Sequence, residues 1–249
     1  IEAGKIGMRW FGKKPEVWMK PGDSPVSEAD FAIDRFLRNE LLLARPDYGW
    51  LSEETVDDPE RLAGGLIWLV DPIDGTKEFI KRNGEFTVNI ALITNHKTEL
   101  GVIFVPVTGE LYFSTKALGA FKVRVDLKKY SVDKLISNAD KLPLMRKDKT
   151  FTVVASRSHM SQETETYVSD MRDKHGKVNL ISKGSSLKLC MVAEGTANCY
   201  PRFAPTMEWD TAAGQAICEH AGFQVIDWYT KKAMLYNRKD LLNNWFLVK

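Results

Sequence analysis

The chain alternates short, strongly apolar runs with polar turns, and the runs carry two different periods. Residues 29–44 place Phe31, Ile33, Phe36, Leu37 and Leu41 to Leu43 around Asp30, Asp34, Arg35 and Arg38, a spacing that predicts a helix. Residues 66–70 form an unbroken apolar run that stops at Asp71-Pro72, and Gly75 and Gly84 bracket a short helix over 77–82. Residues 86–93, 100–107, 111–114 and 120–125 are rich in β-formers and separated by turn segments, which predicts an antiparallel meander. Residues 130–150 are polar and lysine-rich, and they mark a boundary between two packed subdomains, 1–147 and 148–249. Beyond it, strands at 151–155, 178–180 and 197–200 alternate with helices at 186–194 and 211–221, the last with Asp210 in the N-cap position and Gly222 in the C-cap position. The expected fold class is therefore mixed α/β (α+β).

Charge and cysteine usage narrow the function classes. With 35 Lys and Arg against 33 Asp and Glu, the net charge of +2 creates no global field for nucleic acid or anionic lipid, so an anionic ligand must be caught locally. Cys190, Cys199 and Cys218 are an odd number with no Cys-x-x-Cys pair, which argues against a disulfide framework or zinc ribbon and for a reducing compartment. The longest apolar runs fall far short of the roughly 20 residues that span a bilayer. No charged-then-apolar leader is visible at the start of the sequence.

Candidate chemistry sits in three acidic clusters: Ser52-Glu53-Glu54, Asp71-Pro72-Ile73-Asp74-Gly75-Thr76, and Trp209-Asp210-Thr211-Ala212-Ala213. Each has a bland reading as loop charge, turn or helix cap. The second resists it, because Asp71 and Asp74 end a strand too apolar to carry two charges unless a cation neutralises them. Carboxylates converging from separate segments, with no histidine among them, suit Mg²⁺. Gly75 and Thr76 offer backbone N–H groups to a phosphate at a helix start.

The three clusters, in that order, resemble the lithium-sensitive, Mg²⁺-dependent phosphatases related to inositol monophosphatase and fructose-1,6-bisphosphatase. Residues 24–30, 75–89, 156–159, Gly184-Ser185-Ser186-Leu187-Lys188 and Tyr200-Pro201-Arg202 narrow the likeness to the 3′(2′),5′-bisphosphate nucleotidase branch. Ser27 stands where many relatives have threonine, and the short stretch before Gly12 suggests a lost first helix. The resemblance implies a layered αβαβα sandwich and two or three Mg²⁺ ions, with Glu53, Asp71 and the Ile73 carbonyl at one and Asp71, Asp74 and Asp210 at another. It implies that Asp30 and Thr76, assisted by Glu53, orient the attacking water. Gly75, Thr76, His159, Ser185, Ser186, Lys188, Arg202 and Asp210 would contact a small nucleotide bisphosphate. It further implies lithium sensitivity and a location in the cytoplasm or at the inner face of its membrane. The rival within the fold is a sugar-phosphate or inositol monophosphatase, and the rival outside enzymology is a silent metal- or nucleotide-binding regulator. The haloacid-dehalogenase pattern fails, because Pro72 occupies the place of its nucleophilic aspartate.

Overall fold

The structure, a computed structural model, describes residues 1–13, 15–20, 24–146, 148–157 and 160–249. In chain order the first half comprises α1 (Glu2–Phe11), β1 (Val17–Lys20), β2 (Ser24–Ser27), α2 (Glu28–Ala44), β3 (Gly49–Ser52), β4 (Leu66–Asp74), α3 (Thr76–Ile80), β5 (Thr87–Thr94), β6 (Lys97–Val105), β7 (Glu110–Thr115), β8 (Gly119–Arg124), α4 (Val132–Ser137) and β9 (Asp140–Lys141). The second half continues with β10 (Phe151–Ser156), α5 (Gln162–His175), β11 (Val178–Lys183), α6 (Leu187–Ala193), β12 (Tyr200–Arg202), α7 (Glu208–His220), β13 (Val225–Asp227) and β14 (Phe246–Val248).

The central sheet runs β3-β4-β5-β6-β7-β8-β9, with β3 parallel to β4 and every other pair antiparallel, so the expected meander is present and extended at both edges. β4 reads as a continuous apolar run because both its faces are covered. Ile67 and Leu69 join one core with Leu189, Ile217 and Phe246, while Trp68 and Val70 join another with Ile33, Phe79 and Phe86. Helices α1 and α2 cover the second face, and α7 lies across β4 to β8 on the first. Beyond α6 and α7 come the parallel pair β10-β11, the small sheet β12-β14-β13, and finally α5. The layers are thus α, β, α, β, α. One core takes residues from both sides of position 147.

Three helices lie outside the sequence expectations, among them α4, which buries no residue and falls in the polar stretch 130–150. Residues 2–11 form α1, packed on α2 with Gly7 facing Ile33 and Gly4 turned to Phe104 of β6, where a lost helix was the expectation. α5 buries only Thr164 and Val168, so its apolar periodicity is too sparse to register. No helix among the described residues is long and apolar enough to cross a membrane.

Candidate active site

The site gathers where β4 loses its ladder. Asp71 still pairs opposite Asn89 and Asp74 opposite Thr87, but the register shifts between them, at Pro72, which has no N–H to donate. Within that bulge the Ile73 side chain is buried in the core while its carbonyl accepts a hydrogen bond from Thr76 Oγ1 at 3.2 Å. Gly75 follows with φ +90°, a left-handed conformation that glycine adopts without steric cost, and α3 begins at Thr76. Glu53, just past β3, is tied to the same place by its N–H to the Val70 carbonyl, 3.3 Å.

Asp210 arrives from the opposite layer, and its position differs from expectation. α7 starts at Glu208 with Met207 as N-cap, so Asp210 is the third helical residue, and its carboxylate accepts the Met207 N–H at 2.8 Å. The shift arises because Glu208, fully buried, is held by the Asn237 and Arg238 N–H groups and the Arg238 guanidinium, which extends the helix upstream.

Carboxylate oxygens of Glu53, Asp71 and Asp210 lie within 4.8 Å of one another. Among the described residues, Asp71 Oδ1 is buried without a hydrogen-bond partner. Burial, compounded by the charges of Glu53, Asp74 and Asp210, raises the Asp71 carboxyl well above the usual range. Burial, followed by the Asp74 and Glu53 charges, pushes Asp210 up to about 8. Such a cluster is costly without a cation, and its all-oxygen donors match a hard divalent ion. Asp74 lines the same cavity but has one oxygen engaged: Oδ2 accepts the Ser186 N–H at 2.5 Å and Asn89 Nδ2 at 3.3 Å.

Asp30 and Thr76 also meet. Asp30 Oδ2 accepts the Ser27 N–H (2.9 Å) and hydroxyl (2.6 Å), and its Oδ1 lies 3.3 Å from Thr76 Oγ1. The hydroxyl that Ser27 shares with threonine is the group used here. Burial pushes the Asp30 carboxyl up to about 6 against those hydrogen bonds.

The cavity, about 340 Å³, continues from the acids to Ser185, Lys188, Tyr200 and Arg202. Ser185 Oγ and Arg202 Nε are buried and unpartnered among the described residues. Arg202 Nη2 donates to the Pro205 carbonyl at 2.9 Å, and Lys188 Nζ donates to the Ser185 carbonyl at 2.5 Å. Burial pulls the Lys188 ammonium down to about 8 against the attraction of Asp74. Ser186 lines the cavity, yet its hydroxyl is engaged with Asn89 Oδ1 (3.0 Å) and Thr87 Oγ1 (2.8 Å). His159 lies outside the described residues.

Lys20, absent from the sequence expectations, reaches across from β1 to Glu53 Oε1 (3.0 Å) and Glu54 Oε1 (2.7 Å). Burial pushes Glu54 up to about 7 even beside that ammonium. Asn89 and Thr87 were likewise unforeseen as supports for the acids; the signal available was a pair of polar residues at alternate positions of an otherwise apolar strand.

Residues 3–248 match the inositol monophosphatase family. A 3′(2′),5′-bisphosphate nucleotidase CysQ from Shigella flexneri is 44% identical over 239 residues, 95% of this chain and 90% of the relative. The crystal structure of CysQ from Bacteroides thetaiotaomicron, described as a bacterial member of the inositol monophosphatase family, superposes with a TM-score of 0.87 at 44% identity, covering 99% of this chain and 92% of that one. An IMPase of Thermotoga maritima shares the fold at TM-score 0.78 with 22% identity, covering 100% of this chain and 87% of its own. With its acids gathered at the β4 bulge and its length spanned by these likenesses, the chain belongs to the CysQ-type branch of the inositol monophosphatase family.

Proposed function

We propose that the chain is a 3′(2′),5′-bisphosphate nucleotidase that hydrolyses adenosine 3′,5′-bisphosphate to AMP and phosphate with the help of magnesium. The observation that carries this reading is one continuous cavity lined both by an under-neutralised carboxylate cluster and by Lys188, Ser185 and Arg202. Its 44% identical relatives carry the same activity in their names.

Glu53, Asp71, the Ile73 carbonyl, Asp74 and Asp210 are the groups that would hold two or three Mg²⁺ ions. Bound there, magnesium supplies Lewis-acid polarisation of water and neutralisation of phosphoryl charge. The chain's own residues do the rest. Thr76 Oγ1 has one proton and lies within reach of both the Ile73 carbonyl and Asp30 Oδ1; turned from the carbonyl to Asp30, it donates there while accepting from a water. A proton leaving that water passes to Thr76 Oγ1 as the Thr76 proton moves to Asp30 Oδ1, with Glu53 assisting. The Gly75 and Thr76 N–H groups, at the start of α3, face the reacting phosphate. The second phosphate would lie against Ser185, Lys188 and Arg202, with His159 and Ser186 completing the contacts; Arg and Lys are natural partners of that dianion. The α/β halves 1–147 and 148–249 would act as two subdomains with the reacting phosphate at their junction.

Lithium inhibition and a cytoplasmic setting belong to the same proposal; the three free, buried cysteines support the latter. The test is a phosphate-release panel with adenosine 3′,5′-bisphosphate, its 3′-phosphosulfate analogue and inositol 1-phosphate, with and without Mg²⁺ and Li⁺. Preference for the nucleotide, Mg²⁺ dependence and Li⁺ inhibition are expected. Equal kcat/KM for nucleotide and inositol phosphate would favour a general sugar-phosphate phosphatase, and no phosphate release from any of them a silent binding protein.

A further inference from the structure

Glu85 lies outside the acidic cluster, yet three donors from the second half of the chain converge on it. Its Oε2 accepts the Gly184 N–H at 2.8 Å and pairs with Arg157 Nη1 at 2.9 Å, while Oε1 lies 3.2 Å from Lys183 Nζ. Arg157 Nη2 also donates to Oε1 at 2.9 Å, closing a two-pronged pair, though both cations are substantially exposed, which weakens their hold. The Gly184 bond is the one that holds the backbone itself.

Both ends of this contact are constrained. On the Glu85 side, the next residue, Phe86, is fully buried, its ring edge-on to Phe79 with centroids 4.9 Å apart, and the Glu85 N–H donates to Asn83 Oδ1 at 2.9 Å. On the other side, Gly184 is pressed against α3 so closely that a Cβ there would lie 2.9 Å from Glu78 Cγ. Just beyond Gly184, Ser185 has φ +45° with its hydroxyl buried in the cavity, and the Ser186 N–H reaches Asp74 Oδ2.

We propose that Glu85 is a positioning residue: its core-anchored carboxylate fixes the Gly184 backbone and so sets where Ser185 and Lys188 face the substrate. It touches neither the reacting phosphate nor the acids around it. The proposal rests on the nucleotidase reading only for the choice of substrate.

The test compares Glu85→Ala with Glu85→Gln, whose amide oxygen can still accept from Gly184, by hydrogen exchange and steady-state kinetics on the intact chain. In Glu85→Ala, amides of residues 183–188 should exchange about tenfold faster while β4 and β5 keep wild-type protection. KM for adenosine 3′,5′-bisphosphate should rise about tenfold with kcat within about threefold, because Ser185 and Lys188 grip a part of the substrate that does not react. Glu85→Gln should stay within about threefold of wild type in both readouts. Unchanged exchange and KM in Glu85→Ala, faster exchange spread through β4 and β5, or a Glu85→Gln as impaired as Glu85→Ala would each overturn the proposal. A wild-type protein inert toward the bisphosphate but active on inositol 1-phosphate would sink the nucleotidase reading instead, and the exchange comparison would still decide the role of Glu85.

Discussion

Replacing Asp71 by asparagine should stabilise the metal-free protein and destroy its response to magnesium. Asp71 is 1% exposed, and oxygens of Glu53 and Asp210 lie within 4.8 Å of it. At that separation two full charges repel by about 3 kcal/mol with an effective dielectric constant near 20. Protonation relieves part of this, as the raised Asp71 and Asp210 carboxyls indicate, so a relief on the order of 1–2 kcal/mol is expected near pH 9. For a chain of this size that is a Tm increase of about 2–8 °C in EDTA. Magnesium at a hundredfold excess over its Kd adds about 2.7 kcal/mol to the wild type, reversing the order if the substitution weakens binding strongly. Thermal melts in EDTA and in saturating MgCl₂, paired with phosphate release, read both effects. A variant that melts below wild type in EDTA, or that keeps the full magnesium shift, would refute the metal-cluster account.

Thr76→Ala should lower kcat by about 10²–10³ with a much smaller change in KM, since orienting a water matters mainly in the transition state; an effect confined to KM would make Thr76 a ground-state phosphate contact. Metal-free stability should fall as pH rises from about 4 through about 8, because Asp210, with its folded pKa near 8 against an ordinary 3.8, binds more protons folded than unfolded across that window; denaturant melts in EDTA at pH 5 and pH 8 check the sign, and greater stability at pH 8 would contradict it. Arg202→Ala should cost about tenfold or more in kcat/KM for adenosine 3′,5′-bisphosphate while sparing inositol 1-phosphate, which has no second phosphate to hold; a loss shared equally would remove Arg202 from the specificity contacts.

Asp71 and Asp74 were legible in the sequence because an apolar strand ending in two charges asks for a cation wherever it sits in the fold, whereas Glu53 and Asp210, readable alone as a loop charge and a helix cap, were picked out by family resemblance. The Asp30–Thr76 contact was legible only through family resemblance, since 46 residues separate the pair. Lys20 was not legible at all: it lies 33 positions from Glu53 in a hairpin whose neighbouring residues, Val17, Trp18 and Met19, are exposed, and nothing local announces its partner. Ser185 and Ser186 are chemically identical in sequence. The left-handed φ of the first sends their hydroxyls to different neighbours, one left unpartnered in the cavity and the other bonded to Asn89 and Thr87. The N-cap expected at Asp210 falls instead at Met207, because the pairing of buried Glu208 with half-buried Arg238, which fixes the true start of α7, is a tertiary contact across 30 residues.

The packing of α7 across β4 to β8 has a consequence for dissecting the molecule. A polypeptide cut within residues 142–150 would yield an amino-terminal piece whose sheet exposes Ile67, Leu69, Ile93 and Ile103, and a carboxy-terminal piece whose α7 exposes Ala213 and Ile217. Neither piece could hide its apolar face alone, and the acids would be divided, Glu53 and Asp71 on one and Asp210 on the other. The two would behave as complementing fragments, in which recovery of phosphatase activity reports reassociation, so that tethering each to one of two other proteins would turn catalysis into a gauge of their encounter.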